Sequence, residues 1–258
     1  KNTERFIMKK ILLILMLLFP NICFSQVNIE SVRDTAKKEK PVWGEIKGGL
    51  EMQKGNVNIL AYDLDVLTHF QSSNHHIFLQ GKTTQGKQEK IKFKNASFAH
   101  LRWTWMPWKL IGGELFTQIQ HDQFKSLIVR QLNGIGLRSE FFHFKTFVMS
   151  LGTGAMTDFE KLTGGEESIN IRSTSYLSLA KTFDEKKKNL ILLTLYYQPL
   201  FDNPKDYRIN LEANVRTVLI SSWNISLDNS INYMYDTVPA AEIQTNDLSI
   251  KANIVYEW

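Results

Sequence analysis

Three histidines, His69, His75 and His76, fall close together, and His121 stands beside Asp122. Imidazoles so placed can hold a metal ion or move a proton. A zinc site would want a carboxylate or cysteine at ligand spacing beside the first three, and none is there. They therefore read as solvated turn histidines, and His121 with Asp122 as rim polarity. A lipid hydrolase working from one face of a strand would want a His and a Ser two residues apart. No His-x-Ser occurs, and the nearest arrangement, Ser73-Asn74-His75, runs in reverse order inside a tight turn. Gly134-Ile135-Gly136 and Gly152-Thr153-Gly154 lack the strand-to-helix setting of a nucleotide loop and fit relief of crowding in a curved sheet. The expectation is a protein that is not an enzyme, with no cofactor and no metal.

A second set of chemical groups recurs at even spacing within runs whose intervening residues are apolar: Lys47, Glu51, Lys92, Lys94, His100, Arg102, Glu114, Gln118, Gln120, Asp122, Arg130, Arg138, Glu140, Arg172, Arg208, Glu212, Arg216, Asp228 and Lys251. Both signs are interspersed. Two readings stay open. Arginine and carboxylate pairs can brace a wall from within. Alternatively the groups line a narrow polar pore, in which Arg102, Arg130, Arg138, Arg208 and Arg216 favour small anionic solutes.

The elements that carry these residues have a period of two from Trp43 onward. At the C-terminus Leu248, Ile250, Ala252, Ile254, Tyr256 and Trp258 share one face, opposite Ser249, Lys251, Asn253 and Glu257. Breaks near 53–56, 71–75, 84–90, 107–109, 121–125, 141–143, 158–168, 184–188, 201–206, 220–222 and 236–243 leave about twelve such segments. Twelve is even, and each is long enough to cross a bilayer at a tilt. The segments near 169–183 and 188–201 alternate poorly. The pattern predicts an all-β fold: a membrane-spanning, up-and-down antiparallel β-barrel over 43–258. In that arrangement odd connections such as 84–90, 158–168 and 236–243 are long and even ones short. Trp43, Trp103, Trp105, Trp108, Trp223 and Trp258 gather at one rim as an aromatic girdle.

The N-terminus points the same way. Met8-Lys9-Lys10 opens a basic stretch, Ile11 to Phe19 is apolar, and Cys23 and Ser25 precede a cut before Gln26, as in a signal peptide. Residues 1–25 are thus expected to be an upstream extension and signal peptide, and 26–42 a polar periplasmic leader. Removing 1–25 takes Lys1, Arg5, Lys9 and Lys10 against Glu4, so the formal charge of +5 falls to +2 and argues for no nucleic-acid partner. It also removes Cys23, the single cysteine, which excludes a disulfide scaffold and a thiolate metal site.

Trp43-Gly44, Gly49, Gly55-Asn56, and the block from Glu114 to Arg130 with its Asp122-x-Phe124-x-x-Leu127-x-x-Arg130 run, followed by Gly134-Ile-Gly136-Leu-Arg138, resemble the YdiY-like, salt-induced outer-membrane proteins, a family of unknown function. The chain departs from it at Arg138, where the family often has an aromatic nearby. The terminal Tyr256 and Trp258 are similar to the signal that outer-membrane proteins present to the barrel-assembly machinery. These resemblances imply an outer-membrane barrel with both termini in the periplasm and a link to salt conditions. Such a barrel would meet membrane lipid, lipopolysaccharide and the assembly machinery, short loops and a mixed-charge interior point to other envelope proteins as partners, and the resemblance assigns no catalytic residues.

Overall fold

A computed structural model describes residues 41–54, 58–108, 110–144, 146–183, 189–240 and 243–258. The expected signal peptide, nearly all of the expected leader, and Gly55-Asn56 lie outside the described residues. The chain forms twelve strands: β1 (Val42–Gln53), β2 (Ile59–Ser72), β3 (His75–Gln88), β4 (Ile91–Trp105), β5 (Ile111–Asp122), β6 (Leu127–Phe144), β7 (Phe147–Leu162), β8 (Glu167–Thr182), β9 (Leu190–Pro199), β10 (Tyr207–Ile220), β11 (Ile225–Asp236) and β12 (Asn246–Glu257). Each pairs antiparallel with the next, and β1 pairs with β12 to close the barrel. Val42 and Trp258 mark one rim, the terminal rim; the opposite one is the far rim.

Strand formation follows from the alternation, but the sense of the alternation is inverted relative to a protein in water. On β10 the polar Arg208, Asn210, Glu212 and Asn214 are buried, while Leu211 between them and Val215 just after them are exposed. Leu64, Leu79, Leu101, Leu115, Ile135, Ile191, Leu195, Ile231 and Ile250 continue the exposed apolar band around the wall. Leaving one such side chain in water forgoes about 1.5–3 kcal/mol of burial, so a band of them calls for an apolar surrounding.

Three details differ from the sequence expectation. The connections expected at 84–90 and 158–168 are mostly strand: β3 runs to Gln88, and β7 and β8 are joined by 163–166 alone. Charged and glycine residues that look like turn formers belong instead to strands, where the enclosed face accepts charge. The contrast between long odd and short even connections therefore does not hold, since the odd connection 89–90 is shorter than the even connection 221–224. Finally, β8 and β9 do alternate, with Thr174, Tyr176 and Ser178 on β8 and Leu192, Thr194 and Tyr196 on β9 facing inward. Leucine and tyrosine on the inner face of β9 hide the period.

Candidate functional site

The inward faces converge on three polar clusters. Near the terminal rim, Lys47 Nζ lies 2.9 Å from Asp228 Oδ2 and 3.1 Å from Glu45 Oε1. Arg216 joins the same group, at 2.8 Å from Glu45, 3.0 Å from Asp228 and 3.0 Å from Glu257. These residues sit on β1, β10, β11 and β12, so the cluster ties together the strands that flank the closing seam.

The second cluster spans β4, β5, β6, β7 and β8. Arg102 Nη1 donates to Glu114 Oε2 at 3.0 Å, and Tyr176 OH donates to the same oxygen at 2.8 Å. Arg138 donates to Tyr176 OH at 2.9 Å and to Ser150 Oγ at 2.8 Å. The Arg102 guanidinium also covers the Phe116 ring at 4.8 Å. The glycines of the two Gly-x-Gly runs make room for these rings. A Cβ on Gly152 would stand 2.0 Å from Tyr176, and one on Gly134 2.2 Å from Phe116.

The third cluster lies near the far rim around Asp158, which exposes no surface. Its carboxylate accepts from Arg130 at 2.9 Å, Arg172 at 3.1 Å and Arg208 at 2.6 Å. Arg208 continues to Asp236 at 2.7 Å and Glu160 at 3.0 Å, and Arg172 to Asp206 at 2.9 Å. Above this floor a cavity of about 310 Å³ opens at the far rim, bordered by Lys82, Asp122, Leu127, Met234, Val238 and Asp247 among others. Asp122 also caps the 3-10 turn at Gln123–Lys125, accepting from the Phe124 amide at 3.0 Å.

Of the other polar residues predicted to line the interior, His100 and Gln118 face each other at 3.2 Å, and Glu212 accepts from Asn214 at 2.6 Å. Lys94 is half-buried. Lys92 is not brought inside: it lies exposed beyond the irregular register at Gly86/Lys87, where the β3–β4 hairpin ends. Glu51 is exposed as well. The acidic partners Glu45, Asp158, Glu160, Asp206 and Asp236 were not anticipated, although Glu45 shares the parity of Lys47.

Trp103, Trp105, Trp108, Trp223 and Trp258 are exposed at or near the terminal rim. Trp43, expected with them, is 2% exposed and faces inward. Its indole stacks on His69 at 5.0 Å and His76 at 5.9 Å. The two imidazoles are joined Nδ1 to Nε2 at 3.0 Å. His69 is thus a buried interior group, not a solvated turn residue, while His75 is exposed between Trp103 and Trp105. Tyr256 is exposed on β12, paired with Ile46 and Ile225. Among the described residues no group of three or more His, Cys, Asp and Glu is placed to hold a metal ion.

Most of the interior is filled. Phe78, Leu132 and Thr194, at successive quarter-turns around the barrel on β3, β6 and β9, expose nothing. A partly hydrated strip remains along β11, β12, β2 and β3, where Asn232, Lys251, Asn253, Asp63 and Lys82 are half-buried. Toward the terminal rim it meets Glu45, Lys47 and Asp228, each under a tenth exposed. The interior is therefore a cul-de-sac open toward the far rim.

A family model described as a protein of unknown function, DUF481, matches residues 46–258. The chain belongs to the DUF481 family. No curated protein matches it. Among solved structures, this DUF481 barrel is similar to the NanC porin, with a TM-score of 0.50 at 8% identity over 83% of this chain and 98% of that one. It also matches the translocator domain of the autotransporter NalP from Neisseria meningitidis, with a TM-score of 0.48 at 9% identity over 88% and 92% of the two chains. A bacterial polysaccharide outer membrane secretin matches at 0.46 and 7% identity, over 84% and 98%. At these identities the likeness to NanC is one of fold, and the fold is that of outer-membrane barrels.

Proposed function

We propose that this DUF481 barrel resides in the outer membrane as a non-enzymatic, non-conducting barrel with an accessory or structural role in the envelope. The observation that carries this reading is the closed terminal end of the interior, where Glu45, Lys47 and Asp228 are nearly inaccessible and held by ion pairs. Interspersed charge on a pore wall would be hydrated, whereas here arginines and carboxylates are consumed by each other. The exposed apolar band and the five outward tryptophans support residence in a bilayer. Export through a signal peptide that with an upstream extension makes up 1–25, periplasmic termini, and contacts with lipid, lipopolysaccharide, the assembly machinery and other envelope proteins belong to the same reading.

Planar-bilayer recording tests it. The purified barrel is expected to give no discrete conductance steps from low to high salt, and steady ohmic steps would instead favour the narrow anion pore. Pull-down from mild detergent tests the accessory role, which recovery of the barrel alone under every condition would count against.

A further inference from the structure

Outward residues that pair across neighbouring strands form rows around the wall, and most rows are apolar, as through Leu179, Leu193, Ala213, Ile231 and Ile250 on β8 to β12. One row breaks the pattern. From β4 to β8 it runs Leu101, Thr117, Asn133, Thr157 and Ile171, all exposed and alternating along their strands with inward residues such as Gln118, Leu132 and Asp158. Its polar centre lies inside the apolar band. Ile119 and Phe159 stand between it and the far rim, and Leu115 and Ile135 between it and the terminal rim. The exposed Lys161–Glu167 ion pair, at the far-rim ends of β7 and β8, lies beyond Thr157 by about 10 Å along a tilted strand. Short side chains at Thr117, Thr157 and Ala155, flanked by Leu101 and Trp103 on one side and Ile171 on the other, leave a shallow cleft in the wall.

The hydrogen bonds within the cleft define what it lacks. Thr117 Oγ1 donates to Asn133 Oδ1 at 2.9 Å, and Thr157 Oγ1 donates to the Asn133 backbone carbonyl at 3.4 Å. Both hydroxyl hydrogens are thereby spent on β6. The bond to Oδ1 leaves the two Nδ2 hydrogens of Asn133 pointing elsewhere, and among the described residues nothing accepts from them. Outward hydroxyls nearby answer one another, with Thr153 and Ser175 at 3.1 Å. An amide donor without an acceptor is costly in hydrocarbon and draws a polar partner from the membrane. One free donor beside two threonine oxygens with open lone pairs matches a single O–H group, which accepts from Asn133 and donates to a threonine.

We propose that this cleft binds a hydroxylated acyl chain of a membrane amphiphile, its hydroxyl on Asn133 and the rest of the chain over Leu115, Ile135 and Ala155. The inference rests on the outer-membrane reading above. A head at the level of Lys161 and Glu167 places the hydroxyl a few carbons below it. A plain chain would cover the apolar surface and leave the amide unmatched. A second copy of the barrel would set one depression against another.

The test uses the full chain in a Cys23→Ser background, folded into phosphatidylcholine vesicles. Two photo-probes are compared, phosphatidylcholines that carry a diazirine on one chain and differ only in a hydroxyl at the third carbon of that chain. Adducts of the hydroxylated probe, mapped by mass spectrometry, are expected to concentrate around the cleft at about fivefold the yield of the plain one, the return of one net hydrogen bond. Asn133→Leu should bring the two yields together. Asn229→Leu, which removes an outward amide between Val215 and Ala252, should leave the fivefold difference intact. Equal yields in the parent, a difference that survives Asn133→Leu, or adducts spread over the wall in proportion to exposure would each overturn the proposal. So would a second copy in the cleft, seen as disulfide dimers of Asn133→Cys forming faster than those of Asn229→Cys. Failure of the chain to enter vesicles as a heat-modifiable barrel would instead overturn the outer-membrane reading.

Discussion

The guanidinium of Arg216 on β10 lies 2.8 Å from the carboxylate of Glu45 on β1, reaching past β11 and β12 inside the barrel. The same guanidinium contacts Glu257 of β12 and Asp228 of β11, so one side chain spans both edges of the shortest seam in the wall. The backbone of that seam ends in a mutual pair, with Gly44 N donating to Trp258 O at 3.3 Å and Trp258 N to Gly44 O at 3.0 Å.

Arg216→Met leaves Glu45 and Asp228 buried with Lys47 as their shared cation. Breaking a buried ion-pair group in this way typically costs about 3–5 kcal/mol. Urea unfolding in vesicles should show a loss of that order, with Arg216→Lys intermediate because it keeps the charge but not the planar fork. The Arg216→Met, Lys47→Met double variant should also conduct in bilayers where the parent does not. Unchanged stability and a silent double variant would mean that this cluster does not stop the interior.

Gly44→Val sets the terminal tryptophan against the wall. A Cβ at position 44 would meet the Trp258 ring at 2.2 Å and the Leu67 carbonyl at 2.5 Å, and moving the indole relieves only the first of these, since the second is to backbone. The substitution is expected to displace Trp258 and lower the temperature at which the folded electrophoretic band disappears, whereas Gly81→Val, with open space around its Cβ, should leave that temperature nearly unchanged.

Tyr176→Phe keeps the ring beside Gly152 and removes the hydroxyl that links Arg138 to Glu114. The expected loss is about 1–3 kcal/mol, the cost of leaving buried polar partners unmatched. Gly152→Ala should be worse than Tyr176→Phe, since it drives a methyl group into the ring itself. Equilibrium unfolding of both variants ranks them, and the reverse order would show that Tyr176 can swing away freely.

Single-tryptophan variants distinguish the inward Trp43 from its outward counterparts. Brominated phosphatidylcholine should quench a protein keeping only Trp105 or only Trp223, both exposed on the outer side, and leave one keeping only Trp43 nearly unquenched. Equal quenching of all three would place Trp43 in the wall's outer face.

The strand number was readable because the outer face is apolar at nearly every second position, as on β12; alternation alone does not say which face points inward, and the sense of the wall was carried by the tryptophans and the aromatic C-terminal pattern instead. The closing of the interior was harder to read. Asp158, Glu160, Asp206 and Asp236 sit where charge and turn-forming residues cluster, and such runs look like loops when charge is assumed to seek water. In an enclosed interior they are instead the counter-ions of Arg130, Arg172 and Arg208. Trp43 was legible in principle: it has the parity of Glu45 and Lys47, and an even step along a strand keeps the face. What parity cannot convey is which partners meet across the barrel. Arg216 with Glu45 and Tyr176 with Glu114 depend on curvature and stagger, not on any local pattern.

Asp158 draws two of its guanidiniums, Arg130 and Arg172, from β6 and β8 on either side of it, and the third, Arg208, from β10 beyond β8 and β9. The first two partners are available in a flat three-stranded sheet, whereas the third is met across the concave face of a curved one. The bond from Arg208 to Asp158 is therefore a chord across the wall, and this one buried carboxylate sets local curvature as well as balancing charge.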